Sequence, residues 1–494
     1  MVINIILAIL VLSIIIIIHE FGHFIVAKAN GITVVEFSLG FGPKLIHFKK
    51  GETEYSLKLL PFGGACIMLG EDFLEADDDE QEDATEGNNT GKAGSELDND
   101  FCNGKTAEDN GFGNTSRYSS DNTSAGSYMS EKKKQEALEA GYDMSKSFAN
   151  KSVWARIAVI AAGPIFNFIL AFVCSVVIIG SIGYDPCMVD VVYDNSPAVS
   201  AGLQEGDKII KVNNQKITFY RDYSFYRVYH ADDTMNITYE RDGQKYTTTL
   251  TPEYVKQQKY QMGVTLEQNG TIAGVSDGTP AQKAGIKKGD IITAVNGVAV
   301  DGSTKIIELV GQCNGESVDI TINRDGNTMQ LNVTPDSVEN EYYYTGFASY
   351  GARQKVSPIS VIGYAFKEVG YSVNTVVKSL GMMFTGQVGI NDLSGPVGTV
   401  SAMSNIVEES KADGTFYVIL NLLNLAGLIS ANLGVMNLLP IPALDGGRLV
   451  FLILEVLRGK PVKKEHEGMV HFVGMIFLFV LMIYVMFKYI IGLF

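Results

Sequence analysis

The sequence predicts a multi-domain membrane protein: an α-helical core of four transmembrane spans with a membrane-associated β-hairpin region, plus two extracytoplasmic α+β modules. Three observations predict it. Hydrophobic residues make up 46% of the 494-residue chain and concentrate at its two ends. The charged residues gather in the middle, and a stretch of about 30 residues occurs twice within that middle.

The first region, 1–70, opens with Val2–Ala27, nearly continuous in apolar residues and long enough to cross about 30 Å of hydrocarbon. It lacks the basic start and small-residue cleavage site of a signal peptide, so it reads as a retained helix. Alternating residues bounded by Gly and Pro follow, GITVVEFSLGFGPKLIHFKKGETEYSLKLLPFGGACIMLGED, and predict β-hairpins. The strand at Tyr55–Leu60 is apolar enough to dip into a membrane wherever protein or water satisfies its backbone.

Residues 71–150 carry 20 acids and 7 bases, which is −13 of the chain's formal −16. The acidity therefore belongs to one tract, and no basic nucleic-acid footprint exists. From about Asp77 to Ala149 the tract is Gly/Ser/Asn/Asp-rich, which predicts disorder, with a short helix near Lys132–Ala140. A solvated loop is the plain reading of it. The sharper one is a docking or regulatory segment limiting access to the hairpins. The five cysteines are scattered, without a Cys-x-x-Cys pair, and read as free thiols.

Residues 151–184 hold a second span, Val153–Ile182. Regions 185–258 and 259–340 each contain one copy of the repeat, VDVVYDNSPAVSAGLQEGDKIIKVNNQKI from Val189 and AGVSDGTPAQKAGIKKGDIITAVNGVAV from Ala273. Each copy predicts a Ser-Pro or Thr-Pro turn, a short helix, Gly-Asp, a strand and an Asn turn. An Arg-Asp-Gly hairpin follows in each. Region 341–414 includes Ile359–Phe384, whose Lys367, Glu368 and Lys378 make it amphipathic and interfacial. Region 415–494 supplies the last two spans, Thr415–Leu439 and Met469–Leu493. Lysines and arginines cluster after span one, before span two and between spans three and four. Those loops face the cytoplasm, and both termini and Tyr184–Thr415 lie outside.

The first span is interrupted by His19-Glu20-Phe21-Gly22-His23. Ionisable groups inside a bilayer are costly and usually have a function. On a helix, residues i and i+4 share a face, so two imidazoles can hold one Zn²⁺ while Glu20 works on its bound water. A catalytic zinc takes three protein ligands and keeps one open position. Asp445, in NLLPIPALDGGR, is the candidate third ligand. Pro440 and Pro442 unwind the backbone there, and Gly446 and Gly447 allow close approach. A helix N-cap is the competing reading of Asp445. Asn437 either satisfies unwound backbone or hydrogen-bonds a substrate peptide.

HEFGH in the first span, Gly163-Pro164-x-x-Asn167 in the second and Leu444-Asp445-Gly446 late in the chain resemble the site-2 protease family of intramembrane zinc metalloproteases. The repeat between spans two and three resembles the tandem PDZ domains of the regulator-of-sigma-E protease subgroup. The resemblance covers nearly all of the chain except about 71–150. It implies that His19, His23 and Asp445 ligate zinc and that Glu20 is the catalytic acid–base. It also implies that substrate is handled by Asn437, by the Pro440/Pro442 segment, and by the hairpin strand bearing Tyr55 and Leu57. The implied clients are single-span proteins of the bacterial cell membrane, such as anti-sigma factors or remnant signal peptides. Peptide tails would sit at the PDZ grooves, or the PDZ pair would act as a size filter.

Two rival readings are an inactive PDZ-bearing scaffold or metal-binding protein, and a zinc transporter. The scaffold has no need of Glu20. The transporter would repeat histidines across several spans, whereas His47, His230, His466 and His471 fall in loops or near a span's start.

Overall fold

The structure, a computed structural model, describes residues 2–71, 138–386, 396–410 and 414–491. The chain divides into two units, Met1–Gly183 with Lys355–Phe494, and Tyr184–Gln354. Most of the acidic tract lies outside the described residues, as does most of the helix expected at 132–140; of that helix, Leu138 and Glu139 are described and helical.

The first unit is built from helices α1 (Val2–Ala29), α2 (Val153–Ile182), α3 (Pro358–Phe384), α4 (Pro396–Ser410), α5 (Thr415–Leu438), α6 (Asp445–Arg458) and α7 (Lys464–Ile491). Among the described residues, four stretches are long and apolar enough to cross a membrane: Ile6–Ala29, Val153–Ile182, Thr415–Leu438 and His466–Lys488. These are the four expected spans with slightly shifted ends. Although α1 is apolar nearly all round, it is sided. Ile15, His19, His23 and Ala27 are buried, while Leu10, Ile14, Phe21 and Ile25 are exposed. Small residues let the helices close on one another, as membrane helices require. A Cβ on Gly22 would meet the Ala162 carbonyl of α2 at 2.5 Å, and one on Gly434 of α5 would meet the Phe168 ring at 2.9 Å.

The expected interfacial helix does not lie across the end of this bundle. α3 runs antiparallel along α2, with Val361 beside Gly180 and the Phe366 ring 4.4 Å from Phe172. At 27 residues it is about 40 Å long. Val361, Ala365 and Ser372 are its buried residues, while Ile359, Ile362 and Phe366 stay exposed.

Strands β1 (Val34–Lys50) and β2 (Thr53–Met68) are long and bent, so together they form four segments. Segment 34–39 pairs with 64–68 on one side (Phe37 opposite Cys66) and with 54–57 on the other (Phe37 opposite Tyr55). Segment 44–50 then pairs with 53–58, Phe48 opposite Tyr55. The order is therefore 64–68, 34–39, 53–58, 44–50. The 64–68 segment is the outer strand beside α1. The C-terminal end of the acidic tract is stitched to residues flanking this sheet: Phe148 N–H donates to Leu69 O at 2.8 Å, and Thr33 N–H to Lys146 O at 3.0 Å.

The second unit holds two modules, each a four-stranded sheet with one longer helix. The strands run 215–216, 208–212, 235–241, 244–250 in the first and 298–299, 291–295, 318–324, 327–333 in the second. The helices are Tyr220–Tyr229 and Ser303–Gly311. Asn213, Asn296, Asp242 and Asp325 all take positive φ, as the Asn and Asp-Gly turns predicted. In both modules a buried aspartate from Gly-Asp is gripped by the arginine of Arg-Asp-Gly. Asp207 pairs with Arg241 at 2.6 Å, and Asp290 with Arg324 at 2.7 Å.

The boundaries 185–258 and 259–340 need correction. Phe347–Ala348 pairs with Val191–Val192, and Phe347 is buried in the first module's core against Tyr223. The second module's core is confined to 262–333. One module is thus nested inside the other, and the chain passes out and back along a ribbon of Glu253–Gln261 paired with Asp336–Tyr344.

Candidate metal centre

α1 presents His19 and His23 on its inward face, one turn apart, with ring centroids 4.9 Å from each other. α2 crosses directly over them at Gly163. A Cβ there would fall 2.3 Å from His23 Nε2 and 2.7 Å from His19 Cε1, so only glycine leaves room for both rings. α5 ends at Leu438, and the chain runs unwound through Pro440 and Pro442 before α6 starts at Asp445. Gly446 and Gly447 allow the predicted close approach, since a Cβ on either would strike the Leu439 or Ile441 carbonyl.

The three side chains converge. His23 Nε2 is 3.3 Å from His19 Nε2, and Asp445 Oδ2 lies 3.2 Å from the first histidine's Nε2 and 3.5 Å from the second's. Ligands about 2.0–2.1 Å from a tetrahedral zinc stand about 3.3–3.4 Å apart, so this triangle has the right size. Asp445 Oδ2 is buried and, among the described residues, has no hydrogen-bond donor, which suits a cation. Among the described residues, no other group of three such side chains converges.

The tautomers also fit. His23 Nδ1 lies 2.8 Å from the Val159 carbonyl, which can only accept, so Nδ1 carries the proton and Nε2 is bare toward the triangle. His19 Nδ1 faces the buried Asn167 side chain at 3.1 Å. For His19 Nε2 to be bare as well, Asn167 must present its amide oxygen there, and its assigned Oδ1 has no other partner. Ser430 Oγ–H of α5 donates to the main-chain carbonyl of Asn167 at 2.9 Å. Sequence reading saw Gly163 and Asn167 only as parts of a motif, whereas in the fold they shape and orient the two imidazoles.

The other predicted residues divide. Glu20 packs against the sheet, its Cγ 2.9 Å from where a Cβ on Gly64 would stand. Asn437 Nδ2 is 3.4 Å from His19 Nε2, so that residue is at the site. Pro440 is exposed. Pro442 instead packs on Gly474 of α7. Tyr55 and Leu57 lie in a central strand, paired on both edges, and Tyr55 stacks on Phe48 and borders Phe24 and Phe37. They have no free backbone edge for a substrate. The strand that lies against Glu20 is 64–68.

Behind the triangle, Arg448 on α6 pairs at 2.6 Å with Glu71, where the sheet ends, and Arg156 of α2 pairs with Glu455 through its two terminal guanidinium nitrogens. These pairs tie the helix bearing Asp445 to the sheet and to α2.

The profile of peptidase family M50 matches residues 7–481. The chain belongs to peptidase family M50. It is similar to zinc metalloprotease RasP of Bacillus licheniformis, 30% identical over 97% of this chain and 96% of that one. It is likewise similar to the regulator of sigma-W protease RasP of Bacillus subtilis, 30% identical over 94% and 93%. A putative zinc metalloprotease of Clostridium acetobutylicum is 28% identical over 98% and 96%. Among solved structures, the PDZ domain of HtrA3 bound to a phage-derived ligand covers 17% of this chain with 93% of its own length, at 21% identity and a TM-score of 0.16. This M50 peptidase is a zinc metalloprotease of a bacterial membrane.

Proposed function

We propose that this M50 peptidase cleaves the transmembrane segments of single-span membrane proteins, with His19, His23 and Asp445 holding zinc and Glu20 as its acid–base residue. The observation that carries this is the triangle of bare donors, 3.2–3.5 Å apart, inside a membrane-spanning bundle. Bound there, zinc supplies a water of lowered pKa and polarises the scissile carbonyl. Glu20 takes the proton of the attacking water and returns it to the leaving amine.

A transmembrane helix hides its amides in i to i−4 bonds and must unwind to be cut. The outer strand 64–68, running beside Glu20, supports capture of the unwound segment by strand addition. Asn437, within 3.4 Å of His19 Nε2, and the exposed Pro440 support contact with the same segment. The distribution of lysine and arginine supports a cytoplasmic acidic tract and an outer position for 184–354, where the paired modules hold peptide tails or filter substrates by size. The relative named as a regulator of sigma-W protease supports anti-sigma factors as clients, with remnant signal peptides the second class.

Glu20→Gln tests the assignment. Zinc content should stay at the wild-type level while cleavage of a single-span test substrate in detergent falls by about 10²–10⁴-fold. Cleavage at the wild-type rate would overturn it.

A further inference from the structure

α7 contributes nothing to the triangle, yet it grips the segment that delivers Asp445. Ala443, two residues before Asp445, has φ +75°, a left-handed conformation that residues other than glycine rarely adopt. Its N–H donates to Nδ1 of His471 on α7 at 2.9 Å. His471 is 3% exposed, with the Phe451 ring of α6 5.5 Å away. One turn further along α7, Gly474 leaves a notch for Pro442, where a Cβ would stand 2.3 Å from Pro442 Cβ and 2.9 Å from its carbonyl. His471 and Gly474 thus face the loop together, at i and i+3.

We propose that His471 is a positioning residue for the metal centre, holding Ala443 in its strained conformation so that Asp445 reaches His19 and His23. This rests on the zinc assignment above. Accepting a backbone N–H requires Nδ1 without a proton, so the ring acts as a neutral acceptor. A histidine is suited to this because it combines a buried flat ring, packed on Phe451, with one acceptor at the Nδ1 position. Without that acceptor the Ala443 N–H is left unpaired, the backbone leaves the left-handed region, and Asp445, two residues on, moves with it. Partners that orient a ligand in this way typically matter 10–100-fold for metal affinity.

The test compares His471→Asn, whose Oδ1 can stand where Nδ1 stands, with His471→Gln and His471→Leu, which put no acceptor there. The full chain in detergent is loaded with zinc and challenged with a competing chelator, and the absorption of its cobalt-substituted form is recorded. The Gln and Leu variants should release zinc at about 10–100-fold lower chelator and lose the intense bands of a tetrahedral cobalt site, while the Asn variant keeps both. Ala443→Gly added to His471→Leu should recover part of the affinity, since glycine adopts the left-handed conformation without strain. Wild-type affinity in His471→Leu, or an Asn variant as weak as the Leu one, would overturn the proposal. If His471→Leu fails to fold, the Asn and Gln variants decide it alone. Wild-type protein that binds no zinc would instead refute the metal assignment itself.

Discussion

Gly163→Ala is the sharpest test of the site, because two physical effects predict opposite signs. In a helix interior, alanine is better than glycine by about 1 kcal/mol, so propensity alone makes this substitution stabilising. The geometry says otherwise. The added Cβ would lie 2.3 Å from His23 Nε2, 2.6 Å from His23 Cε1 and 2.7 Å from His19 Cε1, whereas ordinary contact begins at 3.4 Å. The imidazole of His23 must therefore retreat by about 1 Å, or α2 must move away from α1, where Gly22 already touches the Ala162 carbonyl. Metal–ligand distances tolerate only about 0.2 Å, so a retreat of that size removes a ligand. Zinc affinity should fall by at least about 100-fold. Cleavage should fall by a similar factor, as expected for catalytic groups displaced by about 1 Å. The assay is zinc content after dialysis against a chelator, with cleavage of a single-span substrate measured in parallel. Gly180→Ala on the same helix is the control, because its Cβ would meet nothing closer than 4.0 Å and both readouts should stay at wild type. A Gly163→Ala protein that keeps its zinc and its rate would refute the packing argument.

Three further predictions follow from other parts of the fold. Asn167→Ala should weaken zinc binding by about 10–100-fold, seen by chelator competition, because His19 loses the group that fixes its tautomer. Because Phe347 completes the first module, a fragment 184–258 should give the NMR spectrum of an unfolded chain while 259–340 and 184–354 give dispersed ones. Loss of one buried Phe costs about 3–5 kcal/mol, on the scale of a small module's whole stability. In the second module the hydrogen bond from Arg324 holds the Asp290 carboxyl below its ordinary range, and the 259–340 fragment retains both residues. A depressed folded pKa stabilises fully above the unfolded value of about 3.9 and is lost as pH falls through the folded one. Urea midpoints should therefore drop steeply below about pH 4, and Arg324→Met should flatten that slope.

What the sequence disclosed, and what it withheld, follows from the range of each signal. His19, Glu20 and His23 are legible because they break an apolar run within a single turn of helix. Asp445 is legible because Pro440, Pro442 and two glycines mark an unwound segment before it. Gly163 and Asn167 carry no such mark, since a glycine and an asparagine in a membrane helix are equally at home in plain packing. Their role exists only once α2 is laid across α1. The sheet failed differently. Alternation tells which residues form strands but not which strand lies at the edge, so it does not disclose that Tyr55 and Leu57 have both edges paired. The 64–68 strand is the one whose Gly64 lets Glu20 close on it.

The nested module was recoverable in principle. Gly263 begins the second module and Gly346 returns to the first. They take φ +82° and +83°, and each sits where a Cβ would fall 2.3 Å from the residue opening the Thr-Pro or Ser-Pro turn. Each copy of the repeat therefore needs one glycine strand against that turn. In the second copy it precedes the turn in sequence, and in the first it arrives some 150 residues after it. Searching for the repeat as a contiguous block hides this, because the unit conserved by packing is a set of contacts rather than a stretch of chain. The same holds at the metal centre, where helices far apart in sequence supply the donors, the space for their rings and the hold on their backbone.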